Sequence, residues 1–496
     1  MRPLLRSPVL ANLARVGRAC FPYLVFFLVM LAITLPQGAA TLVTGAQVPL
    51  DTWSATAVEA FGSSDSGSLL GAAISIRDNH LLLGGEFWVY NFWPPGMVVV
   101  DLLLLGLESA LSIPIVLLMV LLNTALWAAF FGVFYGVIRR KFGFIAAAVF
   151  SAGALMSSAV SDWGAGGGIF YSDSFGAIAF CFGILFLILL PQQSTRRRKL
   201  IYAILSGVLL ATSAYFRASF EPIIDATLLF SIVVLVALLL ARRFGRTGRL
   251  TTVLLPSTTA LALASAAAQV LLTPWRLYAG LRIRPGDFRW SAVSDLASSA
   301  RWIPTSVLKE NGIYFGLNGH SNWACIDDLA QCKRIYALEG HSAAPYTGHG
   351  HFTTAQFDQF TLNSFLSHPL TFIAERLDAL SFGFLSKTGA AVKDYAMAES
   401  LLLIAILVAA VIVLARSRKL TNPGYLLFIF ATGIQFATLT LLHMETRYFL
   451  GIELGIMAVG AYALAEFVKG RPRRPLDLAT ESPHAKSEQL SKDHTS

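Results

Sequence analysis

Four short stretches of this chain bring acids and bases into surroundings that are otherwise apolar. Residues 63–96, SSDSGSLLGAAISIRDNHLLLGGEFWVYNFWPPG, hold Asp65, Arg77, Asp78, His80 and Glu86. The stretch FYSDSFG adds Asp173, AYFRASFEPIID adds Arg217, Glu221 and Asp225, and HMETRYFLG adds His443, Glu445 and Arg447. Charge beside hydrocarbon is expensive, so ionisable groups at membrane level are functional candidates, with one another as partners. Two guanidiniums whose forks are held by carboxylates suit a phosphate. Between apolar spans, the natural ligand of that kind is a phosphate carried on a lipid. Each group also has an ordinary reading. Asp65 in a Ser- and Gly-rich segment fits a solvated turn, Arg217 and Glu221 have the spacing of a helix-end pair, and Glu445 and Arg447 fit a turn between spans.

The elements that would position these groups follow from composition. Of 496 residues, 55% are hydrophobic and 14% charged, a balance foreign to soluble globular proteins. The chain reads as an all-α polytopic membrane protein, because lipid offers no partner to an open backbone and the apolar runs lack a barrel strand's alternation. The surplus of 38 Lys+Arg over 29 Asp+Glu is no nucleic-acid signal. It collects in six short clusters beside apolar runs: Arg15 and Arg18, Arg139 to Lys141, Arg196 to Lys199, Arg242 to Arg249, Arg416 to Lys419, and Lys469 to Arg474. This is the positive-inside pattern, which puts all six in the cytoplasm. Arg217 and Arg447, on outer loops, break it.

Parity then sets the topology, since the chain between two cytoplasmic clusters crosses the membrane an even number of times. The apolar runs give about ten spans, near 21–43, 113–138, 142–160, 173–191, 200–217, 226–241, 250–273, 398–415, 425–442 and 449–468. The first is an uncleaved signal anchor, and both termini lie inside. Two spans in 97–138 would carry Arg139 to Lys141 outside, so Met97 to Leu111, with Asp101 and Glu108, is expected as an interfacial or juxtamembrane helix in the first outer loop. Four parts result: an N-terminal membrane module over 1–273 with the catalytic first outer loop, a large outer-loop domain over 274–397, C-terminal transmembrane helices over 398–470, and a disordered cytoplasmic tail over 471–496.

Cys325 and Cys332, in CIDDLAQC, fall in the large outer loop, where an oxidising compartment permits a disulfide; spacing alone leaves the pairing open. Cys20 and Cys181 fall at or in spans as small apolar residues. His341, His349 and His351 in the PYTGHGHF region suit a glycine-hinged solvated loop better than a zinc site, and no metal is assigned. The basic, aromatic PWRLYAGLRIRPGDFRW suits lipid headgroups rather than nucleic acid.

In its order of motifs the chain resembles the GT-C superfamily of integral membrane glycosyltransferases, in particular the bacterial group related to protein O-mannosyltransferases and the lipid A aminoarabinose transferase. The resemblance covers about residues 20 to 470. It runs from Asp65 through LLGAAISI to Gly85, then Trp93 to Gly96 and a juxtamembrane apolar helix. Next come Tyr171 to Asp173, Arg217, Pro274 and Trp275 opening the large loop, and Glu445 to Tyr448 before the last span. The family often carries a second acid directly after the first, where this chain has Ser66.

The resemblance implies a polyprenyl-phosphate-linked sugar donor, a glycan, glycolipid or protein acceptor, and inverting transfer at the outer face of the bacterial inner membrane, with no soluble cofactor. It implies Asp65 as catalytic base and Asp173 as a second acid of the cavity. Arg217 and Arg447 would bind the donor phosphate, Glu221 and Glu445 would orient them, and His443 and His80 would reach sugar hydroxyls. Two other functions use similar parts. A polymerase or ligase of lipid-linked glycans shares the outer arginines, and a transporter shares the many spans, although carriers place their charges near the midplane and often show repeated halves.

Overall fold

The computed structural model describes residues 20–32, 65–79, 94–157, 172–245, 248–278, 393–441 and 449–470, together with Leu370 and Phe384. Among these residues every regular element is a helix. They are α1 (Cys20–Ala32), α2 (Asp65–Asn79), α3 (Gly96–Leu111), α4 (Ile115–Phe142), α5 (Phe144–Leu155), α6 (Ser172–Leu189), α7 (Arg196–Phe216), α8 (Glu221–Arg243), α9 (Arg249–Tyr278), α10 (Lys393–Arg416), α11 (Pro423–Leu441), α12 (Leu450–Gly455) and α13 (Ala461–Gly470). A π-helical turn, Ile456–Gly460, joins the last two without a break.

Six helical stretches are long and apolar enough to cross a membrane: Ile115–Phe142, Ser172–Gln192, Arg196–Phe216, Ala218–Arg243, Thr251–Tyr278 and Met397–Arg416. Four shorter apolar helices, Cys20–Ala32, Phe144–Leu155, Pro423–Ala437 and Leu450–Ala465, fall on the other four runs read as spans. The residues of Met97 to Leu111 form a separate helix, as expected. Ser112 in a left-handed conformation (φ 52°) ends α3 and Pro114 caps α4, so the two do not merge. Both boundaries of the large loop differ, since α10 already begins at Lys393. Pro274 and Trp275, read as the start of the large loop, lie inside α9, which continues to Tyr278. A proline removes one backbone hydrogen bond, and side-chain bonds across the last turns of α9, described below, hold the helix together.

The centre of the bundle is α6. Its sequence, SDSFGAIAFCFGILFLIL, is apolar on every side apart from small and polar residues near its start, and most of its length is buried. It packs against α4, α7, α11 and α12. α7 runs antiparallel to it: the Ser206 hydroxyl donates to the Gly183 carbonyl at 2.8 Å, while Gly176 faces the Ser213 carbonyl further along. α9 lies beside α7 and α8. Small residues allow these approaches, the usual route to tight helix pairs in lipid, where the hydrophobic effect between helices is lost. Gly207 is the closest case. A carbon added there would lie 2.5 Å from the Ala264 carbonyl oxygen and 2.7 Å from the Ala267 side chain. Gly207→Val is therefore expected to lower the unfolding midpoint in detergent, by the roughly 1–3 kcal/mol of an overpacked interface. Gly153→Ala, where an added carbon meets nothing within 4 Å, should leave it unchanged.

The bundle has two chemically different ends. At one, α4 finishes with Arg139, Arg140 and Lys141, and Gly143 (φ 94°) reverses the chain into α5, a backbone state that favours glycine. The Lys141 ammonium lies 5.2 Å from the Tyr462 ring, Tyr425 packs against Tyr462, and Gly424 sits on Ile188 near the end of α6. α7 opens at this end with Arg196 to Lys199, its Thr195 side chain accepting from the Arg198 backbone N–H. The opposite end of α6, twelve residues and roughly 18 Å back along a helix axis from Ile188 to Gly176, meets the other end of α7 and the first turn of α12 through Phe220.

Candidate functional site

The buried charges of α6 to α9 gather at this second end. Asp173 stands in the first turn of α6 and Arg217 at the end of α7, and the antiparallel packing of the two helices brings them together. The Arg217 guanidinium Nε donates to Asp173 Oδ1 at 2.6 Å, with the side chains 8% and 3% exposed. Arg217 itself has left the helix, with φ −145° and ψ 115°. One 3₁₀ turn, Ala218–Phe220, then leads into α8 at Glu221. Arg217 and Glu221 thus do not share a helix, and the simple four-residue helical spacing does not apply to them.

Glu221 belongs to a second network with Arg276, which the sequence suggests as a headgroup contact within PWRLYAGLRIRPGDFRW but which is buried against acids of α8 instead. Arg276, near the end of α9, donates from one nitrogen to Glu221 Oε2 and Asp225 Oδ1, each at 3.2 Å, and from another to Gln269 Oε1 at 2.5 Å. The Gln269 amide in turn donates to Asp225. The side chains of Arg276, Glu221 and Asp225 are 10%, 6% and 15% exposed. Because α8 and α9 are antiparallel, an acid one turn into α8 meets a glutamine two turns before the arginine.

Aromatic packing fixes the turn between the two networks. The Phe220 ring approaches Gly176 of α6 and Gly451 of α12 so closely that a carbon added at either glycine would lie 3.0 or 2.8 Å from it, and it packs on Phe180 with ring centroids 5.0 Å apart. Phe216 stacks on Phe175 at 4.8 Å. The Tyr215 hydroxyl donates to the Leu271 carbonyl at 2.7 Å, tying α7 to α9 at the same level. Phe384 joins the ensemble, packing against Phe436 and Phe449 at 5.1 and 5.2 Å, and the Ser400 hydroxyl donates to its carbonyl.

α2 and α3 cap this end. Leu69, Leu70, Ala73 and Ile76 of α2 pack with Met97, Val98, Leu104 and Leu105 of α3, and with Ile115, Val116 and Met119 of α4 and Phe175 of α6. Gly96, the first residue of α3, abuts the backbone of Tyr215 and Phe216, directly before Arg217. The polarity of α3 is inverted relative to a water-facing helix. Val99, Leu103, Leu107 and Leu111 are exposed along one side, while Asp101 and Glu108 are buried on the other. That pattern suits a helix whose free side meets hydrocarbon. Glu108 accepts from the Ile115 backbone N–H at 2.9 Å and so caps α4; burial raises its pKa, against the lowering effects of that bond and of Arg77.

Asp101 is 1% exposed, and its Oδ1 has no hydrogen-bond partner among the described residues. Burial raises its pKa well above the usual carboxylate range. A folded-state pKa above the unfolded value means that the native state holds a proton the unfolded state has released, so stability is lost as pH rises above the unfolded pKa of roughly 3.9. Asp101→Asn, which cannot ionise, is therefore expected to unfold at a higher temperature than the wild type at pH 7. The difference should shrink as pH is lowered towards 4, as thermal scans across that range would show.

The remaining residues singled out from sequence stand as follows. Asp65 is the first residue of α2, on the element that packs with Phe175, but its side chain lies outside the described residues. His80, His443, Glu445 and Arg447 lie outside them too, as do Cys325 and Cys332 and the three histidines of the large loop. Cys20 and Cys181 are free thiols, the first exposed and the second buried. Among the described residues no group of three or more His, Cys, Asp or Glu comes together as a metal site. Glu453, buried in α12 two residues after Gly451, is a further acid that sequence reasoning passed over, although a glutamate inside an apolar run was signal enough. No protein-family model matches the chain, and no curated protein and no solved structure matches it.

Proposed function

We propose that the protein is an integral membrane glycosyltransferase of GT-C type, which moves a sugar from a polyprenyl-phosphate carrier to an envelope acceptor at the outer face of the bacterial inner membrane. The observation that carries this reading is the buried Asp173–Arg217 pair at the end of the bundle remote from Arg139 to Lys141 and Arg196 to Lys199. Exposed basic clusters mark the cytoplasmic side. The opposite end is then the outer one, and a buried guanidinium held there by a carboxylate fits a site for an anionic ligand at membrane level. Ten spans with both termini in the cytoplasm, and a periplasmic domain between α9 and α10, belong to the same proposal.

The chemistry divides among few residues. Asp65 takes the proton from an acceptor hydroxyl as its oxygen attacks the anomeric carbon. The bond from that carbon to the phosphate oxygen breaks, and the electron pair leaves with the polyprenyl phosphate. Negative charge grows on that phosphate, so Arg217 and Arg447 favour the transition state over the ground state. Asp173 holds Arg217, Glu445 orients Arg447, Glu221 supports the turn, and His80 and His443 serve sugar hydroxyls. The ion pairs of α6 to α9 lie at one end of the bundle rather than at mid-span, which favours a transferase over a carrier.

Mass analysis of envelope glycolipids, glycans and glycoproteins from cells with and without the protein tests the proposal. One sugar should be missing from one acceptor class, and the corresponding polyprenyl-phosphate sugar should accumulate. Unchanged glycans, together with altered uptake of a solute, would favour the carrier.

A further inference from the structure

We infer that Arg276 is a positioning residue that presets Arg217 by clamping the far side of the turn joining α7 to α8. The inference rests on the reading of Arg217 as the phosphate-binding group.

The backbone from Arg217 to Phe220 is a break between two helices. The Arg217 N–H still closes α7 on the Ser213 carbonyl at 2.9 Å and its carbonyl accepts from the Phe220 N–H at 3.1 Å, but Arg217 is extended and only one 3₁₀ turn follows, so no α-helix runs through this residue. Three side-chain grips add to those bonds: Asp173 on the guanidinium, Gly176 and Gly451 around the Phe220 ring, and, as the third, Arg276 on Glu221 and Asp225. The third comes from α9, past Pro274, where the helix lacks a backbone bond of its own. Arg276 reaches back across two turns to Gln269 and across to α8, which joins the last turn of α9 to the first turn of α8.

The charge arrangement gives Arg276 a second effect on Arg217. Glu221 is one 3₁₀ turn away from Arg217 along the chain. With Arg276 removed, the Glu221 and Asp225 carboxylates remain at low exposure without that cation, and Glu221 competes more strongly with Asp173, and with any phosphate, for the Arg217 guanidinium. A lysine cannot take over. Its single ammonium cannot bridge two carboxylates and an amide as a planar fork does.

The test uses the full-length protein in detergent micelles, with undecaprenyl phosphate as ligand and the uncharged alcohol of the same chain as control. Wild type should bind the phosphate more tightly than the alcohol. Arg276→Met should weaken phosphate binding by about ten-fold, a coupling of about 1.4 kcal/mol, and leave alcohol binding alone. R276K should fall between them, and adding Glu221→Gln to Arg276→Met should restore part of the loss. R217A/R276M should bind no more weakly than R217A. Wild-type affinity in Arg276→Met, with binding lost in R217A, overturns this inference and leaves the phosphate site standing. A wild type that does not distinguish phosphate from alcohol overturns the phosphate site, and the inference falls with it. Should Arg276→Met fail to fold, R276K is read by the same criteria.

Discussion

Arg217→Ala is expected to slow sugar transfer severely and to destabilise the protein, and the two losses should be separable. The substitution removes the cation proposed to face the leaving phosphate; loss of one such preset group typically costs 10²–10³ in rate, about 2.7–4 kcal/mol. It also strands the Asp173 carboxylate, 3% exposed, whose guanidinium partner stood 2.6 Å away. Breaking a buried pair from one side costs about 3–5 kcal/mol, most of it the burden of the charge left behind. Asp173→Asn in the same molecule removes that charge. The double variant R217A/D173N should therefore recover much of the unfolding midpoint lost in R217A and none of the transfer. Recovery of both together would make Arg217 a structural residue, with no part in holding phosphate.

Asp65→Asn is expected to have the larger effect on rate with almost none on the fold. Asp65 opens α2, and Asn, like Asp, is a good residue at a helix start. The packing of α2 rests on Leu69, Leu70, Ala73 and Ile76, which are untouched. Loss of a general base typically costs 10²–10⁴ in rate. Purified Asp65→Asn should insert, unfold at the wild-type temperature and retain donor binding while transferring sugar at least a hundred-fold more slowly, the lower end of that range. Transfer at the wild-type rate would remove Asp65 from the mechanism.

How much of this was legible beforehand depends on the range over which each feature is encoded. Apolar runs and basic clusters are local, so each of the ten runs read as spans contains a helix, and parity alone set Met97 to Leu111 apart from α4. The end of the bundle at which Asp173, Arg217, Glu221 and Asp225 meet was likewise readable, since each stands at a boundary between an apolar run and a loop. Pairing was not. The spacing of Arg217 and Glu221 suggested one helix, but the chain becomes extended at Arg217, which meets Asp173 on α6, while Glu221 meets Arg276 on α9. Such pairs depend on which helices lie side by side, and one sequence does not encode that in any local pattern. Arg276 reads as a headgroup contact for a related reason: it follows Pro274, and a proline there reads as the end of a helix that in fact continues to Tyr278. Asp101 and Glu108 were noticed, but only the packing of α3 reveals that both acids face inward.

The central claim is that a sugar leaves a polyprenyl monophosphate at the face of the bundle that carries Arg217. Its most direct test is reconstitution of the purified protein in liposomes with polyprenyl-phosphate-linked sugars and an envelope extract, followed by mass spectrometry of both lipid and acceptor. The account predicts that free polyprenyl monophosphate forms in step with one sugar added to the acceptor, with inverted anomeric configuration, and that with Asp65→Asn or Arg217→Ala both products form about a hundred-fold or more slowly. Consumption of an oligosaccharide diphosphate instead, or equal turnover by wild type and both variants, would contradict it.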